Sequence, residues 1–405
     1  MSYLAQAADQ LKTWMEAHRE ELVSFTMDLM RINSVTYHEA EAVAFLASAM
    51  KRYGFDEVRI DEAGNCIGRV GSGPTVIVSD AHIDTVECGD PQKWGFNPLD
   101  PIIVDDAIMG RGIVDDKGCL CAMVFAARAI KELKLDQDLT YWVSGSISEE
   151  DVEGSCVKAM MEQYKDIVPD MIIIGEASGN RIVRGHKGRA LIKMTVQGKA
   201  AHASSAHRGE NALIKALPLI QAIDALQNFI EDPFLGKGTI EVTKVECDTP
   251  SLNTIPGSVT IFADRRLSCG ETKQEILEEL RPLLALSNAT ACIDIEEVTT
   301  YTGKKIIQED YFPSWVIDEN HPVIRSAVSA YTQLHKKDPV VGRWDFCTNA
   351  TYLCGITKIP SVGFGPGDET LCHTTSERLC ITELCDAVSM YALTTLAYAQ
   401  SNKEE

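Results

Sequence analysis

The run Ser79-Asp80-Ala81-His82-Ile83-Asp84-Thr85-Val86 places a histidine two residues before a carboxylate. An imidazole binds a metal through one ring nitrogen, and a carboxylate such as Asp84 can hold the proton on the other, which fixes tautomer and orientation. More candidates follow: Asp115 and Asp116 in Gly110-Arg-Gly-Ile-Val-Asp-Asp-Lys-Gly118, the pair Glu149 and Glu150, then Glu176, and finally His373 in Glu369-Thr-Leu-Cys-His-Thr-Thr375. Two histidines with three carboxylates (Asp115, Glu150, Glu176) suit two borderline or hard divalent ions sharing a bridging carboxylate: zinc most often, with cobalt or manganese as substitutes. Ions about 3.5–4 Å apart can hold a water between them, lower its pKa toward neutrality and polarise a carbonyl oxygen. Adjacent Glu149 and Glu150 can then divide the labour. One ligates, and the other takes the water's proton and passes it to a leaving nitrogen. Singly, each residue has a plainer reading. His-x-Asp recurs by chance, a strand-end histidine is more often structural, and an Asp before a helix is commonly a cap.

For these residues to meet, the chain must bring several strand ends together. Thr75-Val-Ile-Val78 is a short β-branched run ahead of His82, Leu139 to Ile147 precedes Glu149, Asp170 to Gly175 precedes Glu176, and Pro360 to Phe364 precedes His373. Helical patterns lie between and around them: 3 to 31, Ala40 to Tyr53 with Gly54 as a C-cap, Cys119 to Leu133, Ser155 to Tyr164, Pro322 to Leu334, a turn of helix near Thr348 to Cys354, and 382 to 400. Short strands are also expected at Glu57 to Ile60 and Cys66 to Val70. Strands alternating with helices predict an α/β fold with a mostly parallel sheet buried on both faces. In such sheets ligands bind outside the carboxyl ends of the strands, so residues distant in sequence can converge.

After Gly188 the pattern changes. A strand from Ala190 to Gln197, a polar loop from Gly198 to Gly209 with His202 and His207, a helix from Asn211 to Asn228, strands at Gly238 to Cys247 and Ser258 to Ala263, a helix from Lys273 to Leu286 and a strand from Cys292 to Thr299 give a β-α-β-β-α-β order. That is the ferredoxin-like pattern. Residues 188–305 are therefore expected to form an inserted lid or dimerisation domain, and 1–187 with 306–405 the metal-binding catalytic domain; a twin subunit could pair along the insert's outer strand and helix.

At 405 residues the chain exceeds what a single core usually supports, and 45% hydrophobic with 24% charged residues describes a folded protein. A formal net charge of -21 disfavours nucleic acid and anionic membrane surfaces as partners and tolerates divalent cations. Thirteen cysteines, an odd number without a repeating frame and often inside apolar runs, fit reduced thiols better than a disulfide scaffold. With neither a signal-peptide pattern nor an apolar stretch long enough for a bilayer, a soluble cytoplasmic protein is expected.

The motifs S-D-A-H-I-D-T-V, G-R-G-I-V-D-D-K-G, S-E-E-D-V-E-G, G-E-A-S, G-K-A-A-H-A-S, L-N-T-I-P, A-D-R-R and G-F-G-P-G-D with the later His373 resemble, in order along nearly the whole chain, the co-catalytic zinc metallopeptidases. That is the family of acetylornithine deacetylase, succinyl-diaminopimelate desuccinylase, aminoacylase-1, carboxypeptidase G and several dipeptidases. Phe346-Cys-Thr-Asn349 before G-F-G-P-G looks similar to the branch called selenium-metabolism-linked hydrolases. The resemblance implies that His82 and Glu176 hold one ion, that Glu150 and His373 hold the other, and that Asp115 bridges them. It further implies that Asp84 orients His82, that Glu149 is the general base and acid, and that His202 stabilises an oxyanion in its own or a neighbouring subunit's site. Asn253, Arg266 and Thr348 would bind a substrate carboxylate. Asp116 is then a helix-start residue and His207 an exposed one, while Arg208, Arg343 and His321 read as surface groups. One departure stands out: where the family usually has a Gly pair after the two glutamates, this chain has Val152-Glu153-Gly154.

The expected activity is hydrolysis of an amide bond, N-acyl, N-carbamoyl or peptide, in a small amino-acid-like substrate. Deacylase, dipeptidase and carbamoyl hydrolase all use the same centre. A non-catalytic metal or amino-acid binding protein on the same fold is the alternative from another class, weakened because every expected position is occupied. A metallophosphatase uses similar carboxylates but does not match the motif order.

Overall fold

Along the strand Thr75–His82, Ile77 packs into the apolar layer that holds the first helix, whereas Val78 packs into the opposite layer with Trp142 and Trp344. Ile173 and its neighbours Ile172 and Ile174 on Met171–Gly175 divide in the same way. Successive side chains leave a strand on opposite faces, so these apolar runs belong to a sheet covered on both sides. The computed structural model describes residues 3–401 and shows that sheet with nine strands.

Its order is Glu57–Ile60, Cys66–Val70, Leu139–Ser146, Thr75–His82, Met171–Gly175, Ser361–Phe364, Ile182–His186 and Trp315–Val316, with Val341–Trp344 also paired to Ile182–His186. The centre is parallel, but the expected mostly parallel sheet is a mixed one, because Cys66–Val70, Ile182–His186 and Val341–Trp344 run against it. A tight turn explains the first reversal: Asp61 Oδ1 accepts from the amides of Gly64 and Asn65 at 2.6 and 2.8 Å, so Cys66–Val70 folds straight back on Glu57–Ile60. In the parallel centre His82 lies opposite Ser146, and Phe364 opposite Gly175. The carboxyl ends of four strands thus sit side by side.

One face carries the helices Tyr3–Arg31, Lys117–Glu132 and Ile381–Ser401, which pack on one another. Tyr3–Arg31 buries Ala7, Leu11, Trp14, Leu22, Phe25 and Leu29, a single stripe at helical spacing. Lys117–Glu132 is buried almost all round, as its apolar run from Gly118 to Ala127 requires.

Gly188–Gln197 begins a second, five-stranded antiparallel sheet with its own apolar core, built from Ile192, Met194 and Val196 against Leu219, Ile276 and Leu280. The order Thr239–Cys247, Ser258–Leu267, Gly188–Gln197, Ala289–Ile293 with helices Ala212–Asp224 and Lys273–Ala285 realises the expected β-α-β-β-α-β sequence. Strict alternation of burial along Gly188–Gln197 and Ser258–Leu267 shows one face under the helices and one more open. The expected strand from Cys292 to Thr299 is divided at Asp294: its first part belongs to this sheet, and Ile295–Thr299 forms a ribbon with Lys305–Glu309. The polar loop after Gly198 contains a short strand, Ala201–His202, and the 3-10 turn Ala203–Arg208. The turn of helix expected near Thr348 is a π-helical turn at Thr351–Ile356.

No helix among the described residues is long and apolar enough to cross a membrane. All thirteen cysteines carry free thiols.

Candidate di-metal centre

His82 is the last residue of its strand and is buried. Its Nδ1 lies 3.0 Å from the backbone carbonyl of Asp84 and 3.4 Å from that residue's carboxylate. A carbonyl only accepts, so Nδ1 carries a proton and Nε2 faces the acidic cluster. The carbonyl and the carboxylate of Asp84 thus both face this side of the ring. The carboxylate itself accepts from Thr36 Oγ1 at 2.8 Å and from the amides of Glu149 and Glu150 at 3.1 and 3.3 Å. Asp84 therefore joins the histidine strand to the turn that carries the two glutamates.

Asp115 turns one oxygen toward each histidine: Oδ1 is 2.9 Å from His82 Nε2, and Oδ2 is 3.1 Å from His373 Nε2. Glu150 Oε2 lies 3.0 Å from His373 Nε2 and Glu176 Oε1 lies 3.9 Å from His82 Nε2. Donor atoms of His82, Asp115 and Glu150 fall within 4.8 Å of one another, as do those of His82, Asp116 and Glu176. The five residues expected to ligate are thus brought to one place. Asp116 joins them unexpectedly. It occupies the cap position of Lys117–Glu132, yet its side chain makes no capping bond; it is fully buried, and neither oxygen has a partner among the described residues that meets hydrogen-bond geometry.

Two of the ligand-bearing segments are held by glutamates that lie outside the motifs. Glu377 Oε1 accepts from the amides of Val114 and Asp115 at 2.9 and 3.2 Å, and its Oε2 pairs with Arg111 Nη1 at 2.7 Å, all buried. Glu39 Oε1 accepts from both the amide and the hydroxyl of Ser148 at 3.0 Å. Ser148 sits at φ 55°, a left-handed position that a free serine rarely takes and that turns Glu149 into the cavity. A Cβ at Gly365 would strike the carbonyl of Glu176, so only glycine lets the segment leading to His373 pass so close. In sequence Glu377 and Glu39 look like ordinary surface charges. Arg111 carried the one available signal, a charge inside an otherwise apolar, glycine-bounded run.

Burial raises the pKa of Glu149 and of Glu176 well above the carboxylate range, and that of Glu150 less far. His373 is pushed up to about 10 by its hydrogen bonds to Asp115 and Glu150. Burial opposes charge on His82, but Asp115 and Asp84 outweigh it and raise its pKa too. Five carboxylates, those of Asp115, Asp116, Glu149, Glu150 and Glu176, crowd two imidazoles. This donor set, with a surplus of buried negative charge and one carboxylate spanning both histidines, fits two divalent cations.

The side chain of His373 is 54% exposed, and the cluster opens there into a cavity of about 290 Å³ lined also by Glu149, Glu153, Arg266, Phe346 and Cys347. Arg266 thus reaches the site from the second sheet. His202 and Asn253 do not line it. They are exposed neighbours, with Asn253 Nδ2 3.4 Å from His202 Nε2 and Ser204 Oγ 2.8 Å from His202 Nδ1. Thr348 is fully buried, and its hydroxyl accepts from the amide of Ala350 at 3.1 Å, so it does not face the cavity. Its neighbour Asn349 holds Asp80, Ser146 and the amide of Gly154 instead. His207 and Arg208 are exposed, Arg343 bonds the carbonyl of Phe234 and pairs with Asp345, and His321 caps the helix Pro322–His335.

Residues 78–397 match the model of peptidase family M20/M25/M40. The chain belongs to this family. It is 36% identical over 384 residues to the uncharacterized protein YgeY of Escherichia coli K12, covering 94% of this chain and 95% of that one. It is 26% identical over 392 residues to a probable succinyl-diaminopimelate desuccinylase of Staphylococcus epidermidis, 88% of this chain and 93% of the relative. Among solved structures, YXEP of Bacillus subtilis, described as a dinuclear metal binding peptidase of family M20, superposes with a TM-score of 0.69 at 14% identity, over 94% of this chain and 98% of the other. This M20 protein is accordingly a member of a metallohydrolase family, with a mixed α/β fold and a buried His/Asp/Glu cluster at the place where the sheet's strand ends meet.

Proposed function

We propose that this protein is a di-metal amidohydrolase that cleaves an N-acyl, N-carbamoyl or peptide C–N bond next to a carboxylate in a small amino-acid-like substrate. The observation that carries this reading is Asp115, whose two oxygens address His82 and His373 separately, as a carboxylate between two ions must. His82 and Glu176 would hold one ion, Glu150 and His373 the other, zinc suiting the N and O donors and cobalt or manganese replacing it. Such ions, when bound, polarise the scissile carbonyl and acidify a water.

The chain's own groups do the rest. Glu149 faces the cavity with its backbone pinned to Asp84, so its carboxylate is placed to take a proton from the attacking water and return it to the leaving nitrogen. Arg266 is fixed by Asp264 through Nε at 2.7 Å and Nη2 at 3.3 Å, and its remaining N–H groups are available to a substrate carboxylate. Residues 188–305 act as a lid and as the contact of a homodimer, with 1–187 and 306–405 as the catalytic part. In such a dimer the exposed pair His202 and Asn253 would serve the neighbouring site, His202 toward the oxyanion. The relative named as a desuccinylase favours an N-acyl amino acid over a longer peptide as the substrate.

Release of amine from N-acyl and N-carbamoyl amino acids and dipeptides by the metal-loaded protein tests the reading. Glu149→Ala is expected to abolish turnover with both ions still bound. Full activity in that variant would remove Glu149 from its role.

A further inference from the structure

Glu153 and Arg266 line the same cavity, and two side chains of alternating charge connect them. Arg189 Nη1 donates to Glu153 Oε1 at 3.2 Å, Arg189 Nε donates to Asp264 Oδ2 at 3.0 Å, and Arg266 Nε donates to Asp264 Oδ1 at 2.7 Å. Arg189 and Arg266 lie directly opposite each other on paired strands of the second sheet, and Glu153 stands on the turn that begins with Glu149 and Glu150. The row therefore fixes the distance between an acidic and a basic group on one cavity wall.

The acidic end is left incomplete. A strut to Arg189 needs a single acceptor, yet Glu153 brings two, and its Oε2 is buried without a hydrogen-bond partner among the described residues. A buried carboxylate oxygen without a donor is costly, and few are kept without a reason. The last torsion of a glutamate is soft, so a modest rotation turns this oxygen into the cavity that the residue already lines.

We propose that Glu153 is a specificity-determining residue whose free oxygen accepts a hydrogen bond from a second, proton-bearing nitrogen on the substrate, while Arg266 holds the substrate's carboxylate. This rests on the amidohydrolase reading for the placement of that carboxylate. It adds that the preferred substrate carries an N–H donor besides the amide that is cut.

The test is binding to the metal-loaded Glu149→Ala protein, in which slow turnover does not confuse the measurement. Calorimetry compares N-acetyl-L-diaminobutyrate with N-acetyl-L-norvaline, and N-acetyl-L-ornithine with N-acetyl-L-norleucine, pairs that exchange a terminal ammonium for a methyl group. At one or both lengths the ammonium compound should bind at least about tenfold tighter, as a charge-assisted bond in a buried site allows. Adding Glu153→Gln keeps an acceptor for Arg189 and turns the free acceptor into a donor. The preference should then vanish, while affinity for the methyl compounds, metal content and melting temperature stay as they were. Equal binding within both pairs, or a preference that survives Glu153→Gln, overturns the role of Glu153 and leaves the amidohydrolase reading standing. Failure of all four compounds to bind overturns the role of Glu153 together with the N-acyl amino acid as the preferred substrate.

Discussion

Arg111 and Glu377 form a buried ion pair, Nη1 to Oε2 at 2.7 Å, and the same glutamate holds the amides on either side of the Val114–Asp115 peptide. The carboxylate proposed to bridge two ions is therefore positioned from the opposite end of the chain, by a residue just past His373. Removing one partner of a buried pair leaves the other charge without compensation, at a cost of about 3–5 kcal/mol. Glu377→Ala should lose stability of that order in denaturant melts of the metal-free protein, and it should bind metal more weakly because Asp115 is released. A variant with normal stability and normal metal affinity would show that this clamp is idle.

Metal uptake should expel protons. Ligation needs neutral imidazoles, whereas His373 is pushed up to about 10 by Asp115 and Glu150, and His82 is raised as well because Asp115 and Asp84 outweigh its burial. At pH 7.5 His373 carries a second ring proton that an incoming cation must displace, and the upward shift of His82 acts in the same direction, so filling the site releases about one proton or more and affinity rises with pH. Calorimetric titration of zinc in buffers of different ionisation enthalpy counts them. Release of fewer than one proton per chain would contradict ligation through these imidazoles.

His186 makes the opposite kind of pH dependence. It is fully buried on the strand Ile182–His186, with Nδ1 2.7 Å from the carbonyl of Lys187, and burial pushes its pKa down to about 4. The unfolded chain takes up this proton near pH 6.5 and the folded chain only near 4, so the unfolded state binds more protons between those values. Stability is therefore lost as pH falls through that window, by on the order of 3 kcal/mol from this residue. His186→Asn keeps a donor for the carbonyl and cannot titrate. The difference in unfolding free energy between wild type and variant should change by that amount from pH 6.5 to 4, and a constant difference would refute the assignment.

The strands leading to His82, Glu149 and Glu176 were readable because each is a short apolar run followed within a few residues by a chemically unusual one, and Ser361–Phe364 because a Gly-Pro-Gly turn closes it on the way to His373. The helix Tyr3–Arg31 was readable from one long periodic stripe, and Ile381–Ser401 from a long apolar run that is buried nearly all round. Ile182–His186 and Val341–Trp344 escaped because Gly and Arg interrupt their patterns, and their place in the sheet depends on partners far away in sequence. Asp116 looked like a cap because a helix does begin beside it; that its carboxylate turns inward is a matter of packing, which spacing does not encode. Glu39 and Glu377 were invisible for a related reason, and the roles of Glu153's partners were too. An acidic residue in a polar stretch reads as solvated unless its partner, Ser148, Arg189 or Arg111, is known.

The most direct measurement is zinc anomalous diffraction from crystals grown with the metal. Two peaks about 3.5–4 Å apart, one beside His82 and one beside His373 with Asp115 between them, are expected. A single peak, or two too far apart to share the Asp115 carboxylate, would contradict the bridged centre.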